Sequence, residues 1–287
     1  MRITGAFRLE NRERITKFGK LEYCRREAGR RYFRKGHMQP IKTLLLYFSI
    51  TGGPSYLSQQ ETLTMWGRAL LRAGIEPAYS LGFNPHPRIS LPLPRSVGVD
   101  GDQELLTVQT ETFAGTAEEL QRCINSQLPE GCVVFGTEIL EGKARRYPGS
   151  ILYRIHPDTS CWSSALESRL EACRTQIETS SRVEMVRQRP GERVGRTVDI
   201  GGYLQAICWG DGELSIRCRF SGQGTVRVDE LLEWVGLRRE DLPRPILRTG
   251  IEWLTASWPG ESAGPEASDE DAAAPETAMD GQDESRN

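Results

Sequence analysis

A run of thirteen residues, Ala78-Tyr79-Ser80-Leu81-Gly82-Phe83-Asn84-Pro85-His86-Pro87-Arg88-Ile89-Ser90, gathers side chains able to recognise a ligand or hold a proton. Its candidate binding residues are Tyr79, Ser80, Gly82, Phe83, Asn84, His86 and Arg88. Phe83 offers an aromatic surface, Asn84 an amide that both donates and accepts, His86 a titratable imidazole and Arg88 a guanidinium fork. Pro85 and Pro87 each fix their own φ and bias Asn84 and His86 towards extended conformations, so the loop is expected to be rigid. Such a set suits a peptide, a nucleotide or an RNA base. The same residues also suit an ordinary turn, with Phe83 packed inward, Asn84 in a turn conformation and Arg88 paired with an acidic neighbour. Proton transfer by His86 needs a base or an orienting partner, and the sequence places neither His37 nor His156 beside it.

Other chemistry is thinly represented. Arg182, Arg187, Arg189, Arg193 and Arg196 surround Pro190-Gly191, either as a phosphate-binding face or, with Glu184 and Glu192 interspersed, as a solvated loop. No C-x-x-x-C-x-x-C triad is present to hold an iron–sulfur cluster, and no Walker A, G-x-S-x-G or H-E-x-x-H motif occurs. Seven cysteines, at 24, 123, 132, 161, 173, 208 and 218, include no close pair, which favours reduced, packed thiols over a zinc site. Neither a metal nor a cofactor is expected, and Gly201-Gly202 and Gly222-x-Gly224 read as turns.

The elements that must position the loop follow from periodicity. A β-branched, apolar strand from Ile41 to Ile50 leads to Ser58-Gln59-Gln60-Glu61, whose Ser and Glu have capping-box spacing. Leu63, Trp66, Leu70 and Leu71 continue as a helix ended by Gly74. Strands are expected over 77–81, 88–93 and 105–110. A second capping box at Thr116 and Glu119 opens a helix through Leu128, followed by a strand at 133–135. This β-α-β-β-α-β order is the ferredoxin-like pattern. The second half repeats it with elaborations: a strand at 150–156, an amphipathic helix carrying Trp162, Leu166, Leu170, Cys173 and Ile177, and strands at 194–200, 203–209 and 213–220. A helix at 228–235 and a strand at 246–254 complete it, and Gly210-Asp211-Gly212 marks a hairpin. The reading is therefore α+β, two tandem ferredoxin-like domains at 38–143 and 144–257, although no internal sequence repeat marks the duplication.

Both ends differ from the middle. Residues 1–37 carry 12 Lys/Arg against 4 Asp/Glu, and residues 260–287 carry 9 Asp/Glu against Arg286 alone. The leader is expected to be disordered, a nucleic-acid arm, or untranslated with Met38 as the true start. The tail, 258–287, is expected to be a disordered, solubilising segment that could also dock basic partners or cover a basic surface. No stretch approaches the roughly 18 apolar residues of a membrane span, and the leader has no signal-peptide core. A cytoplasmic protein with no membrane partner is expected.

The segment G-F-N-P-x-P-R-I-S (82–90), preceded by a strand ending in Ser80 and followed by Leu91-Pro92-Leu93-Pro94 and Val97-Gly98-Val99, resembles the radical-SAM-linked protein family. That family is a domain of unknown function fused to, or encoded beside, B12-binding radical SAM enzymes. The resemblance spans about 42–254 and is specific over 74–99. Where the family usually reads S-H-L-D, this chain has Ser58-Gln59-Gln60-Glu61, so the cap survives and any role of the histidine does not carry over. The resemblance implies a non-catalytic accessory or substrate-presenting module with a radical SAM enzyme as partner. Two other expectations stand beside it: an RNA-binding module for ribosomal or transfer RNA, stacking bases on its sheets, and an independent enzyme using His86. The oligomeric state is left open.

Overall fold

The structure is a computed structural model that describes residues 40–81, 83–188 and 195–255. By internal contact the chain divides into residues 1–38, which lie outside the described residues, and residues 39–287. The expectations for the basic leader and for the acidic tail therefore fall on residues that are not described.

The apolar run at the start forms β1 (Lys42–Ile50). Helix α1 (Gln59–Arg72) begins with the expected capping box: Glu61 N–H donates to Ser58 Oγ at 3.3 Å, and Ser58 N–H donates to Glu61 Oε2 at 2.9 Å. These bonds satisfy two amides that a helix start leaves orphaned. Next come the short β2 (Ile89–Ser90) and the long β3 (Val99–Thr110). Helix α2 (Ala117–Asn125) carries the second capping box, Thr116 with Glu119, and leads into β4 (Cys132–Glu141).

The second half starts with β5 (Tyr147–Pro148) and β6 (Ser150–Ile155), then α3 (Ser164–Glu178), which buries Leu166, Leu170 and Cys173 as the helical period predicts. A side hairpin of β7 (Glu184–Arg187) and β8 (Arg196–Asp199) follows. The hairpin of β9 (Leu204–Gly210) and β10 (Glu213–Arg219) turns at Asp211 and Gly212, which have φ of 50° and 77°. Two consecutive positive φ values are what a two-residue turn between twisted strands requires. Helix α4 (Val228–Val235), β11 (Ile246–Thr249) and β12 (Trp253–Leu254) complete the described chain.

Several expected strands changed on folding. The 77–81 strand is reduced to an isolated bridge between Tyr79 and Pro87, and the 88–93 strand to two residues. Proline lacks the N–H a ladder needs, which removes Pro77, Pro87, Pro92 and Pro94 as donors. The 105–110 and 133–135 strands are longer than expected. The 246–254 strand breaks at Gly250 into β11 and β12, and β7 was not anticipated.

Seven strands form one sheet in the order β4-β1-β3-β11-β6-β10-β9, with β2 also on β3. The join between the halves is the parallel pairing of β3 with β11, Val99 opposite Ile246 and Gly101 opposite Arg248. Beyond it, β2 takes the same side of β3, with Ile89 opposite Val108. One edge of β3 thus serves two strands from different halves in succession.

Directly opposed residues point to the same side of a sheet. Ile50 faces Gly101, Gly101 faces Arg248 and Arg248 faces Tyr153. Ile50 belongs to the core built with Trp66, Leu70, Leu120 and Ile124, and Tyr153 to the core built with Leu166, Leu170, Leu231 and Trp234. Both helical layers therefore cover one face of the sheet. On the opposite face, Leu45 and Leu105 of the first half are buried, while Arg154 and Arg219 of the second half are exposed. The division at 143/144 falls in the connection between β4 and β5.

Candidate functional site

The thirteen-residue motif folds into a projecting hairpin. Its base is pinned to the sheet: Ala78 N–H donates to Gln109 O (2.7 Å), Gln109 N–H to Arg88 O (3.0 Å) and Arg88 N–H to Ala78 O (2.7 Å). Higher up, Ser80 N–H donates to His86 O at 2.9 Å, and His86 N–H returns to Ser80 Oγ at 3.0 Å. The Arg88 guanidinium donates to Tyr79 O (3.4 Å) and to Gln109 Oε1 (3.2 Å). Tyr79, Ser80, His86 and Arg88 are thereby brought together, and backbone polar groups that prolines and a short strand leave unpaired are satisfied locally.

What this base presents is apolar. Phe83 is fully exposed, Leu81 is 85% exposed and Tyr79 is 51% exposed. An aromatic side chain standing clear of the protein leaves a large hydrophobic surface in water. The inward packing of Phe83 that a plain turn would allow does not occur. Asn84 and His86 are exposed beside it, and Gly82 lies outside the described residues. Leu81, absent from the candidate set, is the second apolar member of the tip. Apolar side chains at every second position, Tyr79, Leu81 and Phe83, are the sequence signal that could have found it.

The imidazole of His86 makes no hydrogen bond among the described residues, and His156 sits in the other half, 3.2 Å from Glu213. Nothing described orients His86 as a base. Of the second arginine cluster, Arg182 pairs with Glu184 at 3.1 Å. Arg187 pairs with the buried Glu230 and donates to Thr225 O at 2.8 Å. Arg196 is exposed on β8, and Arg189 and Arg193 lie outside the described residues. Among the described residues no His/Cys/Asp/Glu group could hold a metal, and six cysteines are free thiols.

A second constellation, unread in the sequence, lies where β2 gives way to β11 along β3. Arg248 is 2% exposed and Glu104 3%. Its guanidinium donates to Glu104 Oε1 (2.8 Å) and Oε2, to Pro94 O (2.7 Å) and to Leu93 O (3.3 Å). It satisfies two carbonyls of the loop between β2 and β3. Burial alone would lower its basicity, but the Glu104 charge and hydrogen bonds, with Tyr153 assisting, raise it on balance. Burial pushes the Tyr153 hydroxyl up to about 12. Gly101 makes room: a Cβ there would lie 2.3 Å from Glu104 Oε1. Nearby, Arg95 donates to Val99 O (2.7 Å) and to Ser55 O, tying the turn before α1 to the end of the motif. A cavity of about 10 Å³ between them is lined by Phe48, Gln59, Thr62, Leu91, Leu93, Arg95 and Glu104. It has room for about one water. Gln59 stands where the resemblance expects histidine.

Fold and site together define an α+β protein with one helix-covered sheet, a charge-sealed seam between its halves and a projecting aromatic hairpin. The chain belongs to a family described as uncharacterised protein conserved in bacteria (DUF2344), whose profile matches residues 44–228. That span takes in the hairpin and Glu104 and ends at the first residue of α4, short of Arg248. No curated protein matches the chain. Among the described residues no helix is long and apolar enough to cross a membrane.

Proposed function

We propose that this protein is a non-catalytic accessory or substrate-presenting module that docks a radical SAM enzyme through the Tyr79–Arg88 hairpin. The observation that carries the reading is the outward placement of Phe83 and Leu81 on a hairpin whose base is already hydrogen-bonded. Burying each of those side chains on a partner is worth roughly 1.5–3 kcal/mol, and a preformed hairpin avoids much of the ordering cost. The partner's identity rests on the resemblance of the 82–90 segment and its flanks. The same reading takes each half as a ferredoxin-like unit. Support comes from the shared strand order, β4-β1-β3-β2 and β11-β6-β10-β9, in which each helical crossover passes over one strand.

RNA binding is the second reading, and it draws on the exposed arginines of the sheet's open face. The two aromatic residues of β6, β9, β10 and β11, Tyr153 and Trp209, pack with the helical core rather than on that face. Base stacking there lacks its platform. The third reading, catalysis by His86, lacks an orienting partner among the described residues.

The test is a tagged pull-down from anaerobic native lysate, with and without ribonuclease, using wild-type protein and a Phe83→Ala/Leu81→Ser variant. A radical SAM enzyme is expected with the wild type, insensitive to ribonuclease, and lost with the variant at unchanged Tm. Recovery of RNA, with proteins released on digestion, would overturn the docking reading.

A further inference from the structure

We propose that the acidic segment 260–287 of this chain docks on the open sheet face of the second half, against Arg217 and Arg219. This goes beyond the hairpin reading and involves the opposite half of the molecule.

The register places both guanidinia. Arg217 lies opposite Leu152 and Arg219 opposite Ser150, so they alternate with the inward-facing Ile216 and Cys218 and point away from the helices. Arg219 is exposed and Arg217 half-buried. On the same face Arg154 is held bidentate by Glu213, at 2.8 and 2.7 Å. Among the described residues no carboxylate comes within ion-pair distance of Arg217 or Arg219.

The last described strand, β12, pairs with β5, which leads through Gly149 into Ser150 and so towards this pair. Glu252 N–H donates to Ser150 O (3.0 Å), and Ser150 Oγ donates to Glu252 Oε2 (3.2 Å). Ser150 is the cross-strand partner of Arg219, about 4.8 Å away across the sheet. The description ends three residues later, at Thr255, and the first tail carboxylate is Glu261. Six residues reach up to about 20 Å from Thr255, enough for Glu261 to approach Arg219, and the acids after it reach Arg217. The tail has nine acidic residues against Arg286, and two guanidinia with no ion-pair partner among the described residues form a complementary surface on β10, within the tail's reach. Exposed pairs of this kind are individually weak and salt-screened, so the contact holds through tethering and loosens as ionic strength rises.

The face carries its own reporter. Cys208 is an exposed thiol opposite Ser215, two residues along β9 from Ala206, the cross-strand neighbour of Arg217. The experiment follows iodoacetamide labelling of Cys208 by peptide mass spectrometry in the full chain, with the exposed Cys123 of α2 as internal control. Changing the nine tail carboxylates to amides is expected to speed Cys208 labelling several-fold at about 0.02 M salt and to have no effect at about 0.5 M. In an Arg217→Gln/Arg219→Gln background the tail substitutions are expected to change nothing, and Cys123 stays constant throughout. A Cys208 rate indifferent to the tail charges at low salt overturns the proposal. A tail effect that persists after both arginines are replaced, as when the tail pairs with the basic leader, also overturns it. So does equal protection of Cys208 by a polyuridine oligomer in wild type and tail variant, which assigns the face to RNA.

Discussion

The seam at Glu104–Arg248 and the hairpin at Tyr79–Arg88 depart from ordinary burial in opposite directions. One puts a charge pair in the interior, and the other puts an aromatic ring in water. Interior charges are tolerated only when paired and hydrogen-bonded, and the seam meets that condition with a carboxylate and two carbonyls. The hairpin hydrogen-bonds its backbone at the base and leaves its apolar tip uncovered. The difference separates a feature that serves folding from one that does little for it. An exposed Phe83 contributes little to stability, so its presence points to something outside the chain.

That contrast can be broken by measurement. The largest effect is expected from Glu104→Ala, which leaves Arg248 buried and unpaired and should lower stability by about 3–5 kcal/mol in urea denaturation. Pairing Glu104→Leu with Arg248→Met should recover most of that loss, and failure to do so would make the seam more than a charge-for-charge plug. Gly101→Ala comes next. Its Cβ collides with the locked Glu104 carboxylate, and about 1–3 kcal/mol is expected from the same titration.

A third effect is absent at neutral pH. Burial pushes the Cys132 and Cys218 thiols up to about 12, above the unfolded value of about 8.5. Groups with raised folded values stabilise fully below the unfolded value and less as pH rises towards the folded one. Stability followed by circular dichroism is therefore expected to fall between about pH 8.5 and 12. Phe83→Ala is expected to change stability least, within about 0.5 kcal/mol. A larger loss in thermal unfolding would show that the tip packs on something within the chain and would end the contrast.

Legibility in the sequence followed the range of the interaction. Both capping boxes, the Asp211-Gly212 turn and the buried stripe of α3 are encoded within four residues and were readable. A turn at the motif was readable because Pro85 and Pro87 act locally. The orientation of Phe83 was not, since inward packing and outward display use the same turn chemistry. Glu104 and Arg248 escaped notice because they stand 144 positions apart. Glu104 gives no sign that it lies inside, and only the folded register brings it to Arg248. The β2 expectation failed because prolines cap a strand sooner than apolar pattern alone suggests.

The placement of β11 bears on how the protein is made. This strand is encoded near the end of the described chain, yet it sits in the middle of the sheet, between β3 and β6. A chain emerging from the ribosome exposes the free edges of β3 and β6 until residues 246–249 arrive to join them. Bare edges of this kind invite pairing with other nascent chains. Synthesis and completion of the sheet are thus coupled, and truncation just before Ile246 should yield an aggregating product rather than a soluble half.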